Sequence, residues 1–301
     1  MKKLIGATAL AAVTLLALTA CAGTTPEPSG TEPAPTEGDV AAAPLDEEAA
    51  ALLPDGTDSL ISVTDPTFAP FQFYDEANEE IIGWTADMIT ALGQTLGVEI
   101  PLEAAAFDTI LPGVASGKYD LAASAFTVTE ERLENADMVT WGLGGTGVAV
   151  PEGNPKDIST DPLSMCGLRI SASKGTSQAI EILPAFQQAC ADAGKPKIEE
   201  NLFPSGQEAL LALSSGRTDG HLNDTISIAY EADINGGFEV APGDDIDSSP
   251  FAFALAKDSP LTPAFEAAMA ALIDNGTYDA INEKWAFPAT AAITADQISN
   301  E

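Results

Sequence analysis

Short apolar runs alternate with helical patterns from about residue 60 to residue 285, and the alternation starts afresh past residue 150. Leu60-Ile61-Ser62-Val63 reads as a buried strand. A helix follows in which Trp84, Met88, Leu92 and Leu96 fall on one face at fourfold spacing, with Gly97 placed to end it. Residues 98–104 read as the next strand. Asp108 is placed to cap a helix carrying Ile110, Leu111 and Val114 that stops at Gly117, and 119–124 is a third strand. In the second half, 167–172 reads as a strand and 176–193 as a helix with Ile180, Leu183, Phe186 and Cys190 facing inward. A helix at 207–214 is closed by Gly216, and a further helical turn begins near Asp224. Residues 251–256 form a last strand, followed by helices at 263–274 and 277–285 with Asn275-Gly276 between them. Strands separated by helices of this length predict an α/β fold whose parallel sheet is covered on both faces. The folded part is longer than one core usually needs, so two lobes are expected.

The beginning of the chain reads as targeting rather than fold. Lys2 and Lys3 precede an apolar run from Leu4 to Ala20, broken by Gly6, Thr8, Thr14 and Thr19, and Leu18-Thr19-Ala20-Cys21 sets small residues before a cysteine. This pattern resembles a bacterial lipobox. Residues 1–20 are expected to be a lipoprotein signal peptide, with Cys21 lipidated as the new N-terminus. Ordinary cleavage and an uncleaved helix are the alternatives, though the apolar run is short for a membrane span. Acyl chains would hold the protein at the outer face of the cell membrane without any segment crossing it. Residues 21–57, with Pro26, Pro28, Pro33, Pro35 and Pro44 and no aromatic residue, read as an extended, disordered Pro/Glu/Thr-rich tether.

Charge and cysteine usage exclude several function classes. The chain holds 46 acids against 12 Lys and Arg, a net charge of −34, and −36 once Lys2 and Lys3 leave with the leader. Such a surface repels phosphate backbones, so nucleic acid is excluded as a partner. Cys166 and Cys190 are an even pair in an exported protein, which favours a disulfide over two buried thiols. The lack of CxxC and HExxH motifs, together with a single His221, argues against a zinc site or a Ser-His-Asp triad. No metal or other cofactor is expected.

Ser124 to Arg132, Ser-Ala-Phe-Thr-Val-Thr-Glu-Glu-Arg, places a guanidinium just beyond several hydroxyls. That set suits a carboxylate, which Arg grips through two charge-assisted hydrogen bonds. A plain helix start at Thr129 with a solvated Arg is the bland alternative. Ligands in open α/β sheets sit beyond the carboxyl ends of the strands. Ser124 to Thr127, Lys174 to Thr176 and Asn223-Asp224 all fall at such ends, in both halves of the chain.

In order, the chain carries Asp65-Pro66-Thr67-Phe68-Ala69-Pro70-Phe71, Gly83-Trp84-x-x-Asp87 and Phe107-Asp108-x-Ile110-Leu111-Pro112. Ser116-Gly117-Lys118-Tyr119-Asp120, the Ser124–Arg132 run and Lys174-Gly175-Thr176-Ser177-Gln178 follow, then Ser215-Gly216-Arg217-Thr218-Asp219, Asp224, Gly276-Thr277-Tyr278 and Lys284-Trp285. This order resembles the polar-amino-acid family of extracellular solute-binding proteins of ABC importers, whose members bind histidine, lysine/arginine/ornithine or glutamine. The resemblance spans roughly 58–290. It implies a two-lobe, type II periplasmic-binding-protein-like fold that closes on ligand, with crossover strands near 143–149 and 248–252. Lobe one would be 58–146 plus 250–301, and lobe two 147–249.

The resemblance also implies roles. Arg132 would clamp the ligand α-carboxylate, helped by Thr127 and by the Thr176 backbone N–H from the other lobe. Asp224 would take the α-ammonium, Phe68 and Phe107 would sandwich the side chain, and Ser124 belongs to the same cleft stretch. Asp65 matches an acid that can meet a polar or cationic side-chain tip, and equally reads as a turn residue before Pro66. Thr85 stands where the family often has an acid, Ala125 replaces a frequent Ser or Gly, and Gly220-His221-Leu222-Asn223 is unusual before Asp224. The expected partners are a polar amino acid, the transmembrane subunits of an ABC permease, and a membrane through the lipid anchor, with the protein itself a monomer. A cleft enzyme on the same fold, dehydratase-like or murein-transglycosylase-like, and a free sensor module are the rival readings.

Overall fold

Helix α2 (Trp84–Leu96) shows the sequence pattern turning into packing. Trp84, Met88 and Leu92 are wholly buried and Leu96 almost so. Gly97 then ends the helix in the left-handed region at φ 69°, its N–H reaching the Gln94 and Gly93 carbonyls. The computed structural model describes residues 41–77 and 79–299. The leader and Cys21 lie outside the described residues, and among those described no helix is long and apolar enough to cross a membrane.

The strands in chain order are β1 (Ser62–Thr64), β2 (Thr67–Phe68), β3 (Gln72–Tyr74), β4 (Ile81–Ile82), β5 (Leu102–Ala104) and β6 (Leu121–Thr127). They continue with β7 (Ala136–Pro151), β8 (Arg169–Ser173), β9 (Glu199–Phe203), β10 (Gly220–Asp224), β11 (Phe238–Val240) and β12 (Ile246–Ala256). The other helices are α1 (Glu47–Ala50), α3 (Phe107–Ala115), α4 (Glu130–Asn135), α5 (Leu183–Asp192), α6 (Gly206–Ser214), α7 (Thr225–Asn235), α8 (Thr262–Asp274) and α9 (Thr277–Lys284). A π-helical turn at Gln178–Ile182 leads into α5, where the sequence predicts one continuous helix from 176.

The main sheet has the order β5-β1-β6-β12-β7-β10-β8-β9, with β11 beside β7. It is mixed, not parallel as the strand-helix alternation suggests. β5, β1 and β6 are mutually parallel, as are β10, β8 and β9, but β12 and β7 run antiparallel to each other between these two sets. Both crossover segments expected from the sequence lie on this central pair, where Pro250 faces Leu143 and Ser249 faces Gly144. Gly144 has a physical reason. A Cβ there would run into the Phe251 ring.

Each half of the sheet is covered on both faces. One lobe packs Trp84, Trp141, Phe253 and Tyr278 on one side and Phe107, Phe126 and Met138 on the other. The second lobe has Ile170, Leu183, Phe186 and Leu222 on one face and Leu213, Ile228 and Phe238 on the other. Two local expectations change. Asp108 does not cap α3, which starts at Phe107, and the Phe107 N–H is instead accepted by Asp65 Oδ2 at 3.1 Å. The tether expected to reach residue 57 is, from residue 41, a packed flank on lobe one. Asp46 caps α1, Gln94 Oε1 accepts the Ala43 N–H at 2.6 Å, and Ala43 and Ala49 join the core with α2 and α8. Small side chains let this short stretch nest where its composition alone suggested no burial.

Cys166 and Cys190 are bonded, tying the loop after the Pro162–Ser164 turn to α5 with a sequence separation of 24. Closing a loop of that length stabilises by about 3 kcal/mol in the chain-entropy account. The Cys166→Ala/Cys190→Ala variant should therefore melt roughly 6–12 °C lower, while its affinity for ligand stays unchanged because neither sulfur lines a cavity at the lobe boundary. An unaltered melting temperature in differential scanning calorimetry would refute the expected contribution.

Candidate functional site

β6 ends at Thr127, and Thr129 Oγ1 accepts the Arg132 N–H at 3.3 Å to start α4. The helix start read from sequence is therefore present, but the Arg is not solvated: Arg132 is 6% exposed. Its Nη1 donates to the Thr127 carbonyl at 2.8 Å, and Nη2 crosses to the Gly175 carbonyl of lobe two at 3.1 Å. The guanidinium also lies over the Phe126 ring, 5.4 Å from its centroid. Burial lowers the Arg132 pKa, opposed by the nearby negative charges of Glu181, Asp224 and Glu131. An Arg side chain stays protonated even so.

From the other lobe, β10 delivers Asp224 to the start of α7. Asp224 is 6% exposed, and its Oδ1 accepts from Gln178 Nε2 at 3.0 Å. The same amide nitrogen donates to Thr146 Oγ1 at 2.9 Å. Burial pushes the Asp224 carboxyl up to about 7, although the Gln178 hydrogen bond and the positive Arg132 both pull it down. A carboxylate this desolvated gains from a cation brought beside it.

Arg132 and Asp224 line one cavity together with Phe68, Phe107, Ser124, Thr127 and Thr176, so seven of the eight sequence-derived ligand residues converge. Ser124 Oγ accepts from Gln72 Nε2 at 2.8 Å, and Gln72 Oε1 accepts from Thr85 Oγ1 at 2.9 Å. Thr85, a departure from the family pattern, thus belongs to a buried relay that orients Ser124. The Phe68 and Phe107 rings touch each other, with centroids 5.6 Å apart, and Phe107 stacks on Phe126 at 4.8 Å. Thr176 turns both its N–H and its hydroxyl to the Ser173 carbonyl, at 3.4 and 2.8 Å.

Asp65 stands apart. It is buried, it does not line the cavity, and its carboxylate accepts from the Phe107 N–H and the Thr67 hydroxyl. Burial raises its pKa to about 6. Three further residues, Ala125, Ser177 and Gln178, complete the lining. Ser177 and Gln178 carried a signal, since they close the Lys174–Gln178 run at a strand end, but nothing in the sequence marked Gln178 as the partner of Asp224.

The lobes are shut over this site. Arg132 reaches Gly175, Thr127 Oγ1 and Ser177 Oγ are 3.1 Å apart, and Gly206 N donates to Thr67 Oγ1 at 3.4 Å. Gly175 makes the approach possible, because a Cβ there would stand 2.9 Å from the Asp108 backbone. The enclosed volume is about 10 Å³, room for roughly one water. That is far less than an amino acid fills, so binding one needs the lobes to part. A second cavity of about 440 Å³ adjoins it, sharing Phe68.

The chain is similar to known amino-acid-binding proteins. The arginine-binding protein ArgT of Corynebacterium glutamicum is 33% identical over 227 residues, covering 75% of this chain and 73% of the relative. An ancestral arginine-binding protein bound to arginine superposes with a TM-score of 0.68 at 29% identity, covering 76% of this chain and 98% of that one. An ancestral arginine-binding protein bound to glutamine gives a TM-score of 0.67 at 26% identity, covering 75% and 97%. The model of one family, described as bacterial extracellular solute-binding proteins, family 3, matches residues 60–289. With nearly the whole folded part matched, this chain belongs to that family.

Proposed function

We propose that this protein is the substrate-binding component of an ABC importer, capturing a polar L-amino acid between its lobes and delivering it to a membrane permease. Arginine is the first candidate, because the relatives above are arginine-binding proteins. The supporting observation is the pair Arg132 and Asp224: opposite charges, both buried, from opposite lobes, lining one cavity. Such a pair suits a zwitterion. Arg132, with Thr127 and the Ser177 hydroxyl nearby, takes the α-carboxylate, and Asp224 takes the α-ammonium. Either ligand charge alone in so dry a site would be costly to desolvate. On this reading Cys21 carries a lipid anchor, the protein works as a monomer at the outer face of the membrane, and no cofactor takes part.

A cleft enzyme is the second reading, favoured by one observation: a carboxyl raised to about 7 is poised for proton transfer. A solved ancestral amino acid-binding protein described as a precursor of cyclohexadienyl dehydratase is 26% identical to this chain, with a TM-score of 0.64. Thermal-shift screening of the twenty amino acids against the chain from residue 21, followed by calorimetry, separates the two readings. Arginine or another polar amino acid should raise the melting temperature by several degrees at about a hundredfold excess over Kd, and should be recovered unchanged. If none of the twenty moves the transition, capture of an amino acid is ruled out.

A further inference from the structure

The cavity of about 440 Å³ beyond Phe68 falls in the ~300–1,000 Å³ range of small-molecule sites. Phe68 is the one residue lining both this space and the cavity over Arg132 and Asp224. Its polar lining comes largely from lobe two: His221 and Asn223 on β10, Ser227 and Glu231 on α7. His221 is 2% exposed and Ser227 1%. The His221 Nε2 and Ser227 Oγ atoms nonetheless have no hydrogen-bond partner. Native proteins seldom keep such atoms unless something else satisfies them.

The chemistry of these atoms specifies their complement. His221 Nδ1 lies 3.3 Å from both the carbonyl and the hydroxyl oxygen of Ser171, and that hydroxyl itself donates to the Gly220 carbonyl at 3.3 Å. We assign the proton to Nδ1, because a carbonyl oxygen can only accept, and this leaves Nε2 a bare acceptor. Burial holds the ring near pKa 4, so it is neutral at pH 7. Glu231 adds a half-buried carboxylate, one oxygen of which takes the Asn235 amide at 2.5 Å. An imidazole lone pair, a hydroxyl and a carboxylate together call for a cationic group rich in N–H donors. A ligand end offering only acceptors would meet lone pairs and negative charge there.

Resting on the amino-acid reading of the adjoining site, we propose that this cavity receives the end of the ligand side chain, and that His221, Ser227 and Glu231 select a guanidinium or ammonium on a long aliphatic stem. His221 precedes Asp224 by three residues on β10, so the two side chains leave the strand on opposite faces, about 10 Å apart along it. Only a long side chain anchored at Asp224 reaches that far, bending round the end of the strand at Phe68, which lines both cavities. Asp65, the acid that the family resemblance offers for the same task, is engaged by Phe107 and Thr67 and lines neither cavity.

Calorimetry with arginine and with citrulline, which has the same length but a neutral ureido end, tests this on the wild type and on Glu231→Gln. The wild type should favour arginine at least tenfold. Glu231→Gln should erase most of that preference while citrulline affinity changes less than threefold, and Ser227→Ala should weaken both ligands. If both ligands bind and their ratio is the same in wild type and Glu231→Gln, the side-chain assignment is overturned while the amino-acid reading stands. If the wild type binds neither, the side-chain assignment is overturned, and the screen of the twenty amino acids decides the amino-acid reading on its own.

Discussion

Asp224→Asn should abolish amino-acid binding and, at the same time, make the ligand-free protein more stable. The isosteric amide keeps the oxygen that accepts from Gln178 but removes a charge that burial disfavours. A folded pKa of about 7 against the ordinary 3.8 means the folded form holds its proton where the unfolded chain has lost it. The stability linked to Asp224 is therefore fully present below pH 3.8 and is lost as pH rises through 7. That loss amounts to about 4 kcal/mol as an upper bound, and the Asn variant escapes it. Its melting temperature should exceed that of the wild type by several degrees at pH 8, and the gap should close toward pH 4. Binding has the matching sign. A ligand ammonium restores a low pKa, so wild-type affinity should be full above pH 7 and fall about tenfold per pH unit below it. Calorimetric titrations from pH 5 to 8, with melting curves over the same range, would show both effects. A variant that binds normally, or that is less stable than wild type at pH 8, would sink the assignment.

Arg132→Ala carries the other large effect. The ligand carboxylate would be buried without its cation, a loss of about 2–5 kcal/mol and so at least ~30-fold in affinity. The guanidinium holds two acceptors at once, the Thr127 carbonyl in its own lobe and the Gly175 carbonyl across the boundary. Arg132→Lys should rescue little, because a single ammonium cannot reproduce a planar fork reaching both acceptors. Affinity within threefold of wild type in a variant that still melts cooperatively would falsify the role given to Arg132.

The helices were legible because their faces repeat. Trp84, Met88, Leu92 and Leu96 announced α2, and Gly97 its end. Ser124 to Thr127, Thr176 and Asp224 were legible because they fall where strands stop, a rule that needs no knowledge of which strands are neighbours, whereas Phe68 and Phe107 came only from the family resemblance. Pairing direction was not legible. From Ala136 to Pro151 only the crossover near 143–149 was expected, and that from the family resemblance, since Gly142, Gly144, Gly145 and Gly147 weaken any strand pattern; yet those glycines are what the strand needs. Side chains at Gly144, Gly145 and Gly147 would collide with Phe251, Asp245 and Thr225, so each is set by a long-range neighbour. Asp65 shows the same limit. Its identity fits either a ligand or a turn, and only the position of the Phe107 N–H, 42 residues later in sequence, puts the carboxylate at the start of α3.

The flank formed by Ala43, Asp46 and Ala49 settles which jaw is held. Any pull transmitted through the chain ahead of residue 41 is borne first by α2 and α8 of the first lobe, against which this flank packs. Attachment to a surface would therefore fix that half in place and leave the Asp224 half free to swing, so the carboxylate-clamping arm with Arg132 stays put and the ammonium-clamping arm does the travelling.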